Sequence, residues 1–501
     1  MFPLTLAKLR RNRRVVRALC VIVCAAIGCT RNAQGPPHTT DHLPAGVRAS
    51  VLQHHNDAAR SGVYVDPSLT RAAAARLRQD SAFTASFAGT VYAQPLYWDG
   101  GEGGQDLLLI ATQNNEVIAL DPLTGSRIWS RTLAAPASRS ELPCGNIDPL
   151  GITGTPVIDA GRRLVFVAAM TSGARHRIFT LSLPDGGTSE TPIDVQSAVS
   201  GFDARIQNQR GALALVDGTL YVPYGGHFGD CGDYAGWVIG FDTGGSRPPV
   251  AYHTGHGGGI WAVSGVAAMG GSLFVATGNT IGLSTWDGGE AILKLAPGPS
   301  FSANAADYYA PSDWADLDSN DADIGTGGAV PFDVASGHYV ATLGKDGRLH
   351  LADRDHLGGI GSGQAILVAN GAVITAPAVV ATPSGTLLAF PATSSSCPGA
   401  SGLVALRISF GSPPGVATAW CSSVNGRGSP IATTTGSGLE SMIWIAGAGG
   451  DNQLLAFNAE TGAPIFTSSA LGSLTRFNAA IVAKGRIYIA GVGAAYAFTV
   501  R

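Results

Sequence analysis

The chain has 501 residues, a formal net charge of −3 and a pI near 6.4. Apolar residues make up 45% and charged residues only 13%, roughly half the usual ~25%. That balance supplies a large core and excludes a basic footprint for nucleic acid. The 68 glycines, about twice average usage, point to many short strands joined by tight turns.

Residues 1–17 carry Lys8, Arg10, Arg11, Arg13, Arg14 and Arg17 with no acid, and an apolar stretch runs from Ala18 to Gly28. A charged segment followed by so short an apolar one predicts an export signal over 1–28 rather than a membrane span. Ala26-Ile27-Gly28-Cys29 resembles a bacterial lipobox, which would make Cys29 a lipidated first residue and attach the chain to a membrane through lipid. The expected location is the outer membrane, as a lipoprotein, or the periplasm or exterior. Four further cysteines, Cys144, Cys231, Cys397 and Cys421, suit disulfides in an oxidising compartment. Three pairings are open; Cys397–Cys421 would close one blade and Cys144–Cys231 would tie neighbouring ones.

Residues 29–53 are expected to be a tether and 54–501 the folded body, with a short helix over 66–78 started by Asp66 and Pro67. Beyond residue 80 a repeat takes over. Its clearest copy is Leu107-Leu108-Leu109-Ile110-Ala111, then Glu116-Val117-Ile118-Ala119-Leu120, then the turn Asp121-Pro122-Leu123-Thr124-Gly125 before Ile128-Trp129. A second runs through Met442–Ala446, Leu454–Asn458 and Gly462 to Phe466. Eight copies at roughly 40–55-residue spacing predict an all-β, eight-bladed β-propeller of four-stranded antiparallel blades, with seven blades as the alternative. The final strand, 495–500, lacks an outer neighbour, and Phe83–Phe87 is expected to supply it and lock the ring.

The turn Asp121–Trp129 resembles the tryptophan-docking repeat of quinoprotein dehydrogenases, with Phe466 in the matching place. Longer segments resemble secreted pyrroloquinoline-quinone-repeat propeller proteins: 55–62, 94–97, 143–156, 236–242, 258–261, 276–279, 321–328 and 344–354. The resemblance spans residues 54–500 and implies the propeller fold more firmly than any activity.

In the related alcohol dehydrogenases a quinone and Ca²⁺ sit on the propeller axis. By that resemblance Asn279 matches a Ca²⁺ ligand, Glu290 the acid that acts as base, Lys345 a quinone contact, and Trp261 or Trp237 the floor beneath the quinone; Glu290 would also face the Ca²⁺. The chain departs from the pattern in two places. No two cysteines are adjacent, and Asn208-Gln209-Arg210-Gly211 stands where a Ca²⁺-binding Glu is expected.

Each anchor also has a plain structural role. Asn279 suits a turn, Lys345-Asp346-Gly347 suits a hairpin, and Asp353-Arg354 suits an ion pair between blades. The acidic run Asp316, Asp318, Asp321, Asp323 could hold Ca²⁺, although such a run is more often a solvated loop. His253 and His256 in a glycine-rich loop lack an evident third metal ligand. The expectation is therefore a cell-envelope or secreted propeller that binds a protein or small molecule at its rim or axial funnel. The alternative is a quinone- and Ca²⁺-dependent dehydrogenase acting on an alcohol or sugar.

Overall fold

The computed structural model describes residues 49–500 apart from 102–103, 281, 395, 398, 400–401 and 437. The expected export signal, Cys29 and the tether as far as residue 48 lie outside the described residues. Eight antiparallel sheets follow one another along the chain. We number them as blades 1 to 8: residues 96–132, 157–194, 214–253, 267–310, 330–367, 378–423, 431–467 and 481–500.

Strand burial follows from the stacking of blades on both sides. The second strands of blades 1 and 7, Leu107–Ala111 and Met442–Ala446, are buried at every position. They therefore read as continuous apolar runs rather than alternating ones. The outer strand Arg127–Thr132 buries only Trp129. Each pair of neighbouring blades shares its own apolar cluster, and one cluster joins blades 7, 8 and 1 across the closure.

Closure uses two N-terminal strands. Leu77–Gln79 and Ala85–Thr90 both pair with Val492–Val500, in the registers Leu77 to Val500 and Ala85 to Ala495. The expected closing strand is thus present, shifted two residues along and joined by a second. The helix expected over 66–78 reduces to one turn, Arg71–Ala74, capped by Thr70 rather than Asp66. Leu77 is buried in the closing cluster, so its segment extends as a strand instead of continuing the helix. Lys484 of blade 8 reaches Asp99 at 2.9 Å and Asp106 at 2.7 Å in and beside blade 1.

Trp129 donates to the Leu183 carbonyl at 2.8 Å and covers Gly186 of the next blade. Trp420 does the same in blade 6, donating to Ala459 at 2.6 Å over Gly462. Phe466 meets Phe498 of blade 8 with ring centroids 5.9 Å apart. Both expected disulfides form, Cys144–Cys231 and Cys397–Cys421, each with Cα atoms 6.0 Å apart.

The axis of the ring holds a segment that the tether boundary at residue 53 cuts through. Val51 pairs with Tyr97 of blade 1, and Leu52 accepts from Ile158 of blade 2. Ala58 accepts from Ala268 of blade 4, Ser61 from Val379 of blade 6 and Gly62 from Ala432 of blade 7. Val63–Val65 then adds in parallel to Ile431–Thr434. Residues 51–65 therefore thread among the inner strands as an axial plug. Arg60, fully buried, fastens it by donating to the carbonyls of Val266, Leu213 and His54.

Candidate functional site

In every blade the hairpin between the second and third strands, and the connection to the next blade, open on one face. Of the long segments 134–150, 225–236, 280–289 and 302–322, only 302–307 lies elsewhere, joining the third and fourth strands of blade 4. Lys345 stands in the blade 5 hairpin and Glu290 at the end of the blade 4 hairpin. Asp323 stands between blades 4 and 5, Trp261 between 3 and 4, Arg210 between 2 and 3, and Phe477 between 7 and 8.

Asp323 is the hub. It is 1% exposed. One oxygen accepts the Asn279 backbone N–H at 2.8 Å, and the other meets the Lys345 ammonium at 2.5 Å. Lys345 also pairs with Asp321, and its ammonium lies 5.6 Å from the Trp261 ring centroid. Burial pushes the Asp323 carboxyl up, against the pull of Lys345. Burial also works against the Lys345 charge, yet Asp323 and Asp321 hold its pKa above the ordinary lysine value. The hairpin that presents Lys345 is braced by Asp346, which accepts the Arg348 N–H at 3.1 Å and contacts His350 at 2.9 Å.

Glu290 is fully buried with φ at 47°. One carboxyl oxygen accepts the Ile324 N–H at 2.8 Å; the other, Oε1, has no partner among the described residues. Burial first, then the Asp323 charge, pushes its pKa up to about 9. Phe477 has φ at 73° and Asp321 at 51°, so three members of this cluster hold left-handed backbone that side chains disfavour. Strain of this kind concentrates where a geometry is held for function. Gly278 is required for closeness: a Cβ there would lie 2.4 Å from Asp323 Oδ1 and 3.2 Å from the Trp261 ring nitrogen.

Arg210 completes the cluster. Its Nε donates to the Trp261 carbonyl at 2.8 Å, and its guanidinium carbon lies 4.8 Å from the ring centroids of both Trp261 and Phe477. One of its terminal nitrogens is buried without a partner among the described residues, and burial lowers its pKa to about 10.

Glu290, Lys345, Trp261 and the backbone of Asn279 therefore come together on one patch. Asn279 enters through its N–H and its carbonyl, which accepts from Gly258 at 2.6 Å, and its φ is not left-handed. Trp237 lies apart, in blade 3, against Phe202 and His253. The acidic run is not a solvated loop throughout. Asp318 is buried and accepts from Thr280 and Gly282, while Asp323 is the hub described above. Asp353 and Arg354 do not pair with each other; Arg354 binds Asp333 of its own blade at 2.9 Å. His253 and His256 diverge, His253 to the Thr254 carbonyl and His256 to Asp233.

The donors do not suit the Ca²⁺ that the resemblance implies. Asp323 already uses both oxygens, on the Asn279 N–H and the Lys345 ammonium, and one Glu290 oxygen is taken by the Ile324 N–H, which leaves few free oxygens for a hard cation. Among the described residues no three His, Cys, Asp or Glu are set to hold a metal. Arg210, beside the Trp261 ring and with a buried nitrogen that has no partner among the described residues, suits an anion instead, while Lys345 is shared with Asp321 and Asp323. Sequence alone does not mark Arg210 or Phe477 as site residues, and it marks Asp323 only as one acid of a possible Ca²⁺ loop. Arg210 lies in the segment that departs from the dehydrogenase pattern, and Phe477 carries no sequence signal.

The family model described as outer membrane protein assembly factor BamB, PQQ_2, matches residues 78–222. No curated protein matches the chain in sequence. Among solved structures, the quinohemoprotein alcohol dehydrogenase from Comamonas testosteroni is similar at TM-score 0.63 and 15% identity, covering 91% of this chain and 81% of that one. The quinohemoprotein alcohol dehydrogenase ADHIIG from Pseudomonas putida HK5 gives 0.67 and 13%, over 91% and 80%. A europium-containing methanol dehydrogenase gives 0.62 and 13%, over 89% and 90%. Identities this low speak for the fold alone, and that fold is the eight-bladed propeller of pyrroloquinoline-quinone-type repeats.

Proposed function

We propose that the protein is an exported binding propeller whose axial mouth takes a small, flat, carboxylate-bearing molecule. The observation that carries this reading is the convergence of Arg210, Lys345 and Trp261 beside the buried, strained Glu290. Perturbed titratable groups gathered in one place mark candidate binding sites. The two disulfides support an oxidising compartment. Anchoring through a lipidated Cys29 belongs to the same reading, and an unacylated mature N-terminus beyond Cys29 in mass spectrometry would refute it. Pyrroloquinoline quinone, a planar tricarboxylate, is the probe for the site. Calorimetric titration of this quinone into the full chain in EDTA should give one binding event, weakened at least tenfold, about 1.4 kcal/mol, in Lys345→Met. Absence of heat, or equal affinity in the variant, contradicts the reading.

The second reading, a quinone-dependent dehydrogenase, is favoured by one specific feature: the unpartnered Oε1 of Glu290, which could take a substrate proton once the carboxyl ionises. Quinone-loaded protein supplied with a primary alcohol and an artificial electron acceptor tests it. Turnover that disappears in Glu290→Gln supports the enzyme; no turnover above the alcohol-free control rejects it.

A further inference from the structure

Blades 6 and 7 enclose a separate pocket of about 230 Å³ on the same face. Its walls come from three places: the blade 6 hairpin with Thr393, the connection to blade 7 with Asn425 and Arg427, and blade 7 with Gly449. Arg476, on the connection from blade 7 to blade 8, completes it. The lining is polar, and among the described residues neither guanidinium has an ion pair or a side-chain hydrogen bond. Arg78, Arg177 and Arg205 likewise lack an ion pair among the described residues, but they do not share a pocket with a second arginine. Arg127, Arg348, Arg354, Arg407 and Arg486 each face a carboxylate within 4.0 Å.

The acids closest in sequence are occupied elsewhere, Glu440 with Arg71. Asp451 accepts from the Asn425 side chain at 2.7 Å, and Glu460 binds Arg407 and Ser384. The connection is also anchored, because Arg427 donates its backbone N–H to Ala448 at 2.9 Å and Gly428 donates to Ala446 at 3.0 Å. Two unneutralised guanidinium groups on a fixed frame, with glycine on the wall so that backbone is uncovered, make a concavity complementary to an anion.

We propose that this pocket is an anion subsite for the carboxylate or phosphate groups of a small polyanion, held by Arg427 and Arg476. Arginine suits both chemistries because its planar fork can give two parallel hydrogen bonds to either group. The subsite stands independently of the axial mouth. It uses different residues, and no axial group lines it.

The test is calorimetric titration of citrate and, separately, pyrophosphate into the full chain at low ionic strength. Arg427→Gln/Arg476→Gln, Arg427→Gln alone and Lys345→Met are titrated beside the parent. At least one anion should bind, and its dissociation constant should rise at least tenfold in the double variant while staying unchanged in Lys345→Met. Whichever of citrate and pyrophosphate binds more tightly assigns carboxylate or phosphate. Both arginines are exposed, so the thermal midpoint of the double variant should match the parent. If it does not, Arg427→Gln alone must still weaken binding at least threefold. No binding of either anion up to about 10 mM overturns the proposal, as does equal affinity in the arginine variants. Binding lost in Lys345→Met but kept in the double arginine variant also overturns it and moves the anion to the axial mouth.

Discussion

Arg210 enters the face between blades 2 and 3 and Phe477 between blades 7 and 8, yet the guanidinium carbon lies 4.8 Å from the phenyl centroid. Connections from opposite sides of the ring thus meet over the axis. The plug at 51–65 runs among the inner strands of five blades.

Glu290 should make stability fall as pH rises. Its folded pKa is about 9 against an ordinary 4.5, so the folded chain keeps a proton that the unfolded chain releases. The loss begins above pH 4.5 and is complete once pH passes about 9, at up to about 1.4 kcal/mol per pH unit. Glu290→Gln should flatten this slope and raise the denaturation midpoint at pH 8. An unchanged pH profile in urea titrations would show that the carboxyl ionises freely.

Buried histidines should act on the acid side. Burial lowers His54 well below 6.5 and brings His55 and His176 to about 4. The unfolded chain takes these protons near pH 6.5 and the folded chain does not, so stability is full above 6.5 and declines from there towards pH 4. His176→Gln should remove about 1.4 kcal/mol per pH unit of that decline. The check is the difference in urea midpoints between pH 7 and pH 5.

Arg60 should be among the costliest positions to change. Arg60→Met strands three buried carbonyls, at Val266, Leu213 and His54, and should cost about 3–5 kcal/mol in denaturant unfolding. Native-state hydrogen exchange should then accelerate at Ala268, Val379 and Ala432, whose amides bind the plug. Exchange unchanged at those amides would show that Arg60 does not hold the plug in place.

Trp420 and Gly462 form one contact between blades 6 and 7. Trp420→Ala should cost about 3–5 kcal/mol. Gly462→Ala places a methyl 2.7 Å from the indole at a φ of 70° and should also destabilise. The double variant should fall well short of the sum, because both changes break the same docking. Additive midpoint shifts would contradict that.

The blades were legible because each second strand, such as Leu107–Ala111, is buried on both faces and shows as an uninterrupted apolar run. Ring closure was legible for the same reason, through the unpaired end at 495–500. The plug was not. Residues 51–65 are aperiodic, and their backbone is satisfied by five blades distant in sequence. Of the cluster, Glu290, Lys345 and Trp261 are suggested by the resemblance of their segments to those of quinoprotein dehydrogenases. Asp323 is not, since a buried hub and a solvated acid read alike within an acidic run. Phe477 and Arg210 meet only because the ring closes, and Trp420 lacks the turn pattern that marks Trp129.

The most direct test is the crystal structure of the protein soaked with pyrroloquinoline quinone. The account predicts planar density against Trp261, with carboxylates on Arg210 and Lys345. A mouth without ligand density at saturating quinone, or density only outside this cluster, would contradict it.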